Sequence, residues 1–289
     1  MHQSVRDYWI TFNDPLEGRV NHMYLDWKGW VSTGIGNKID ETEQENSPAN
    51  DVERAKSLGL ANELRWLHEN GEEATPDEVA ADWDAVKARL DLAPQGHRAF
   101  KPLTSLHIED SDIDRHVEKV LDRMEAYLVG QRPEFVDFES WPANAQLATL
   151  SMCWALGAAF RFPNFQGHVA VRNWIGAADE SHFTPDVGTI RIRNKLDHAH
   201  FLLAQTVEDQ GLPPELIALD LSDVFGVQGG LLALGYKPLG QDGADGPQTQ
   251  AAVSAFQGDN GLQQNGSTND PDTVAVLTSL LTGQGFQVL

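Results

Sequence analysis

Cysteine is nearly absent from this sequence. Cys153 stands alone in 289 residues, which excludes an intramolecular disulfide and a cysteine-built zinc site, and fits a chain folded under reducing conditions. Basic residues are scarce too, 21 against 43 acidic, for a formal net charge of -22. General electrostatic attachment to nucleic acid or to an anionic membrane needs clustered Lys and Arg, so this balance argues against both. No apolar run approaches the ~20 residues that span a bilayer, and the N-terminus lacks the charged-then-apolar signal pattern. The expectation is a chain without stable membrane insertion, not exported by the usual secretory route. What is present is 41% hydrophobic residues, including eight Trp and twelve Phe, enough for a sizeable core. The length suggests two domains.

The texture changes late in the chain. From Thr206 to Leu289 there are ten acidic residues, one Lys (Lys237) and no Arg, and all eight Trp lie before residue 175. Gly211 followed by Pro213-Pro214 ends a helix and starts a connector. The expected domains are therefore residues 1–206 and 221–289, joined by a linker over 207–220.

The first domain reads as mostly helical. Thr75-Pro76-Asp77-Glu78 is a capping box with proline at the first helical position, and Val79, Trp83, Val86 and Leu90 follow at helical spacing. A second stripe, Ile113 to Leu128, is expected to stop at Gly130. Pro142 opens a helix that is apolar on nearly all sides through Gly157, and a fourth helix is expected over about 192–205. Met23 to Asn37 reads as a small β-hairpin, with Trp27-Lys28-Gly29-Trp30 at its turn. After the linker, 224–234, 249–256 and 273–281 predict three short helices. The fold class expected is α+β, mostly α.

One cluster could carry chemistry. Glu17 is followed nine residues later by Asp26 and six after that by Ser32, with Thr33 adjacent. Glycosidic cleavage needs one protonated carboxyl to donate to the leaving oxygen and one carboxylate to activate water or stabilise the oxocarbenium-like centre. A hydroxyl would hold the water. Among 43 acids, spacing alone equally fits a helix-terminal Glu and a turn Asp on a wet surface.

The run Glu17-Gly18, Tyr24, Asp26, Gly29, Ser32 and Gly34-Ile35-Gly36 resembles the active-site segment of the tailed-phage lysozymes, or endolysins. Their pattern is Glu, eight residues, Asp, five residues, Thr, then Gly-Ile-Gly, and the register here fits without a gap. Ser32 stands where the family has Thr, keeping the hydroxyl but losing the methyl that restrains its rotamer. The resemblance implies a lysozyme-like fold with Glu17 as general acid, Asp26 orienting or deprotonating water, and Ser32 positioning it, Thr33 being a neighbour able to substitute. Trp9, Phe12 and Tyr24 are placed to give Glu17 apolar surroundings. Downstream, Gln146 to Gly157 resembles the family's central helix, and Arg193-Asn194 its late Arg-led helix. The roughly 100 residues between Ile39 and Trp141 have no close counterpart in its smallest members.

A second resemblance follows the linker. Val227-Gln228, Leu234-Gly235-Tyr236, Asp242-Gly243, Phe256-Gln257, Gly261-Leu262, Gly266 and Thr273 are similar to the three-helix peptidoglycan-binding domain found on many wall hydrolases. Together the two imply a monomeric modular peptidoglycan hydrolase, acting between N-acetylmuramic acid and N-acetylglucosamine, with bacterial peptidoglycan as partner and no cofactor or metal. A phage product of this kind would wait in the host cytoplasm until a membrane pore admits it to the wall. A lytic transglycosylase, a secreted wall-degrading toxin, and a non-catalytic wall-binding or virion protein are the rival readings. Asp110, Asp112 and Asp114 begin like a calcium loop, but Arg115 and Leu121 occupy positions needing Gly and Glu, so a helix N-terminus is expected there.

Overall fold

A computed structural model describes residues 1–238 and 240–289. The fold is α+β and mostly helical. The chain divides into two compact units, residues 17–119 and residues 1–16 with 120–289. Two helices, α1 (Gln3–Glu17) and α4 (Asp110–Gln131), run across that division.

In unit 17–119, β1 (Val20–Leu25), β2 (Val31–Gly34) and β3 (Asn37–Lys38) form an antiparallel sheet in the order β1-β2-β3. The expected hairpin thus gains a third strand. The chain turns back through Gly34 and Gly36, at φ 63° and 68°. A Cβ on Gly34 would stand 2.8 Å from Asn37 Nδ2 and 3.4 Å from Ile113 Cγ2, so both backbone and space demand glycine. Against the sheet lies α3 (Pro76–Lys87), opened by the expected Thr75/Glu78 capping box, and α2 (Asp51–Ala61) packs on α3. Arg19, just before β1, donates to the Asp110 carbonyl at 3.2 Å and pairs with Asp114 at 2.7 Å. The acidic start of α4 therefore receives a cation, and no group of metal-ligating side chains occurs among the described residues.

In the other unit, α5 (Ala143–Leu156) is the buried central helix, every residue from Ala143 to Cys153 being inaccessible. A helix apolar on all sides must be surrounded. It packs on α8 (Gly188–Gln210), and α6 (Pro163–Val169) and α7 (Trp174–Glu180) complete this layer. Several helices run past the expected ends, α8 reaching Gln210 at its far end. The α4 helix continues through Gly130 to Gln131, and α8 starts four residues before Ile192, because one glycine inside a helix with a well-packed face costs only about 1 kcal/mol.

The stretch 207–220 is built into the structure. Its first residues are the last turn of α8, capped by Gly211 in the left-handed conformation. Its last include β4 (Ala218–Leu219), buried and paired in parallel with β5 (Gln287–Val288). The side chain of Asn144 on α5 reads the Ala218 backbone in both directions, at 2.8 and 2.9 Å. Between the two strands lie α9 (Val224–Ala233), α10 (Pro247–Asp259) and α11 (Pro271–Gly283), the three expected helices. One device occurs twice in them. Buried Gln228 donates to Asp242, Ala244 and Thr249 and accepts from the Gly243 amide, while buried Gln257 donates to Asn265 and Thr273 and accepts from the amides of Asn265 and Gly266. Each glutamine staples the turn that leads to the next helix.

Candidate active site

Glu17 is the last residue of α1 and is half-buried. Asp26 directly follows β1, where its backbone closes the hairpin turn: its amide donates to the Trp30 carbonyl at 3.0 Å and its carbonyl accepts from Gly29 at 3.0 Å. Its side chain is fixed by the same turn, Oδ1 accepting the Lys28 amide at 2.9 Å and the Trp30 amide at 3.0 Å. Burial pushes the Asp26 carboxyl above the usual carboxylate range, against those two amides and the nearby charges of Lys38 and Lys28.

Tyr24 links the two acids. It lies two residues before Asp26, on the same face of the hairpin, and directly opposes Ser32 across the β1–β2 pair. Burial raises its phenol, and the negative charges of Glu17 and Asp26 raise it further. Opposed residues of an antiparallel pair share a face, so Tyr24, Asp26 and Ser32 lie together. Thr33 points to the other face and is engaged there, its hydroxyl donating to the Val20 carbonyl at 3.3 Å. No hydrogen bond occupies the Ser32 hydroxyl among the described residues. The structure thus pairs Tyr24 with Ser32 in the hairpin that ends at Asp26, and turns the Thr33 hydroxyl to the Val20 carbonyl on the other face.

The turn that holds Asp26 is propped from behind. Lys87, at the end of α3, is buried with its Nζ donating to the Gly29 carbonyl at 2.8 Å and to Asp40 Oδ2 at 2.9 Å. The same Asp40 oxygen accepts the Val31 amide at 2.9 Å. One internal ion pair thereby holds Gly29 and Val31, the residues on either side of the Trp30 amide that grips Asp26. Sequence reasoning misses this pair, since a Lys and an Asp separated by 47 residues carry no periodic or spacing signal.

A titratable cluster lies in the other unit, on α8. Arg193 donates to the Ser151 hydroxyl at 2.8 Å and to Asn13 Oδ1 at 3.1 Å. One turn on, Asp197 is fully buried and neither oxygen meets a donor in good geometry among the described residues. Burial pushes its carboxyl up to about 7, against the lowering influence of Arg193 and Ser151.

The region after β4 is decided by comparison with known families. Residues 221–277 match the family model of the peptidoglycan-binding domain. No curated protein and no solved structure matches the chain. The peptidoglycan-binding domain comprises α9, α10 and most of α11, and its glutamine staples lie within the matched residues. Its Asp242-Gly243 turn borders a cleft of about 780 Å³ that α8 also lines, and there Lys195 donates to the Asp242 carbonyl at 3.2 Å. A domain with one lysine of its own thus has a cation at its turn.

Proposed function

We propose that this chain is a peptidoglycan hydrolase of the phage-lysozyme kind, cleaving between N-acetylmuramic acid and N-acetylglucosamine. What supports the reading is Glu17 at the end of α1, directly before a hairpin that carries Tyr24 opposite Ser32 and ends at Asp26, whose carboxylate the turn amides fix. In this reading Glu17 protonates the leaving oxygen. Asp26, held by two amides, orients and deprotonates a water that Ser32 holds in line. The peptidoglycan-binding domain supports peptidoglycan as the partner and keeps the enzyme at its insoluble substrate, raising the local concentration of scissile bonds. Action on the wall after release through a membrane pore belongs to the same proposal.

Glu17→Gln tests it, because it removes the proton and preserves shape. Lysis of purified peptidoglycan is expected to fall by at least about 100-fold, the usual worth of a general acid, with wall binding and melting temperature unchanged. Substantial lysis by that variant sinks the assignment. Product masses separate the nearest rival: hydrolysis leaves reducing muramic ends, whereas a transglycosylase, which needs no second carboxylate, leaves anhydro ends. Inversion at the anomeric carbon is expected, and goes with carboxyl groups roughly 6.5–9.5 Å apart.

A further inference from the structure

Five tryptophans, Trp9, Trp66, Trp83, Trp141 and Trp174, are fully buried, whereas Trp27 is 73% exposed. An exposed indole forfeits the apolar burial that makes tryptophan useful to a core. Trp27 directly follows Asp26, and one cation lies against it and two against its neighbour Trp30. Lys28 Nζ lies 5.2 Å from the Trp27 ring centre and 5.1 Å from that of Trp30, and Lys38 Nζ lies 3.9 Å from the Trp30 ring. Trp30 is anchored, its indole donating to the Thr42 carbonyl at 2.9 Å. Lys28 is paired with Glu45 at 3.1 Å. Lys38 is exposed and has no ion-pair partner among the described residues.

In a chain with twice as many acids as bases, Lys38 beside the Trp30 indole is a cation that no acid pairs among the described residues. Bulk repulsion by a net charge of -22 opposes the approach of an anionic polymer, so the point of contact must be locally positive. A flat aromatic face packs against the C–H face of a pyranose, and an ammonium 3.9 Å above a neighbouring ring meets a carboxylate without giving up its cation–π contact.

We propose that Trp27, Trp30 and Lys38 form a substrate-binding platform for an acidic glycopeptide, with a hexosamine ring stacked on Trp27 and a stem-peptide carboxylate on Lys38. The inference rests on the hydrolase reading for its ligand, but its test needs no turnover. Full-length Glu17→Gln protein is titrated calorimetrically with a soluble disaccharide-tetrapeptide dimer and, separately, with uncharged chitotetraose. Adding Trp27→Ala is expected to weaken both ligands roughly five- to tenfold, the worth of one aromatic contact. Adding Lys38→Met is expected to weaken only the acidic ligand, by about threefold to tenfold, with the difference fading above about 0.5 M salt. The parent variant failing to bind the acidic ligand, Trp27→Ala binding both ligands normally, or Lys38→Met weakening both equally overturns the platform. Substantial lysis by the Glu17→Gln parent overturns the catalytic assignment instead, so the two failures are distinguishable.

Discussion

Asp197 and His200 are both completely buried on α8, and burial moves them in opposite directions, the carboxyl up to about 7 and the imidazole down to about 4. The folded state keeps each neutral. Above the unfolded carboxyl value of 3.8, the native chain still holds the Asp197 proton that the unfolded chain has lost, so its contribution falls as pH rises until about 7. Below 6.5 the unfolded chain protonates His200 while the native chain does not, so that contribution falls as pH drops towards about 4. Between about pH 4 and 6.5 the two slopes, each ~1.4 kcal/mol per pH unit, oppose and cancel. Asp197→Asn is expected to expose the histidine slope alone, so that the urea midpoint climbs with pH across this window relative to wild type; parallel pH profiles for the two proteins contradict the reading. At the same scale, Ser32 and Thr33 show what a sequence withholds. Both are hydroxyls at adjacent positions, and only the pairing of Ser32 with Tyr24 and of the Thr33 hydroxyl with the Val20 carbonyl separates them.

At the scale of elements, local chemistry predicts well and long-range props do not. The Thr75 cap, the Pro142 start and the three C-terminal helices are legible because capping, proline position and apolar spacing are contained within a turn or two of chain. The placement of Glu17 at a helix end and of Asp26 and Ser32 on one hairpin is legible for the same reason, since all three lie within 16 residues of sequence. The Lys87–Asp40 pair depends on packing α3 against the sheet, and no local rule indicates it. Lys87→Met leaves Asp40 with backbone donors but without its counter-ion, a loss expected to cost about 3 kcal/mol in denaturant titration. Because the Gly29 carbonyl is released and the Asp26 cradle loosens, the acidic limb of the activity profile is expected to move to higher pH as well. A stability loss with an unchanged profile would show the pair to be purely structural.

At the scale of the whole molecule, the C-terminal helices belong to the same compact unit as α5 and α8, fastened by the β4–β5 pair and by the edge-on contact of Tyr8 with Phe286 at 5.2 Å. Deleting 221–289 is therefore expected to lower the melting temperature of the remainder by several degrees, whereas removing a freely tethered domain would leave it unchanged. The net charge acts at this scale too. Bacterial wall polymers are anionic, so wall binding is expected to hold or improve from low to physiological salt as repulsion is screened. A steep loss in a pull-down with insoluble peptidoglycan would contradict this.

The amino-acid sequence by itself determined the mostly helical composition, the helix caps, the spacing of two carboxyls and a hydroxyl around a glycine-ended hairpin, and the peptidoglycan-binding segment. These are properties of neighbouring residues. Only the tertiary structure decided which hydroxyl pairs with Tyr24, which buried ion pair supports the Asp26 turn, that Trp27 remains exposed beside Lys28, and that residues 218–219 are a buried strand rather than a tether. Each of these depends on which distant segments meet, and the free energy of such meetings comes from packing and burial summed over the whole chain rather than from any local pattern.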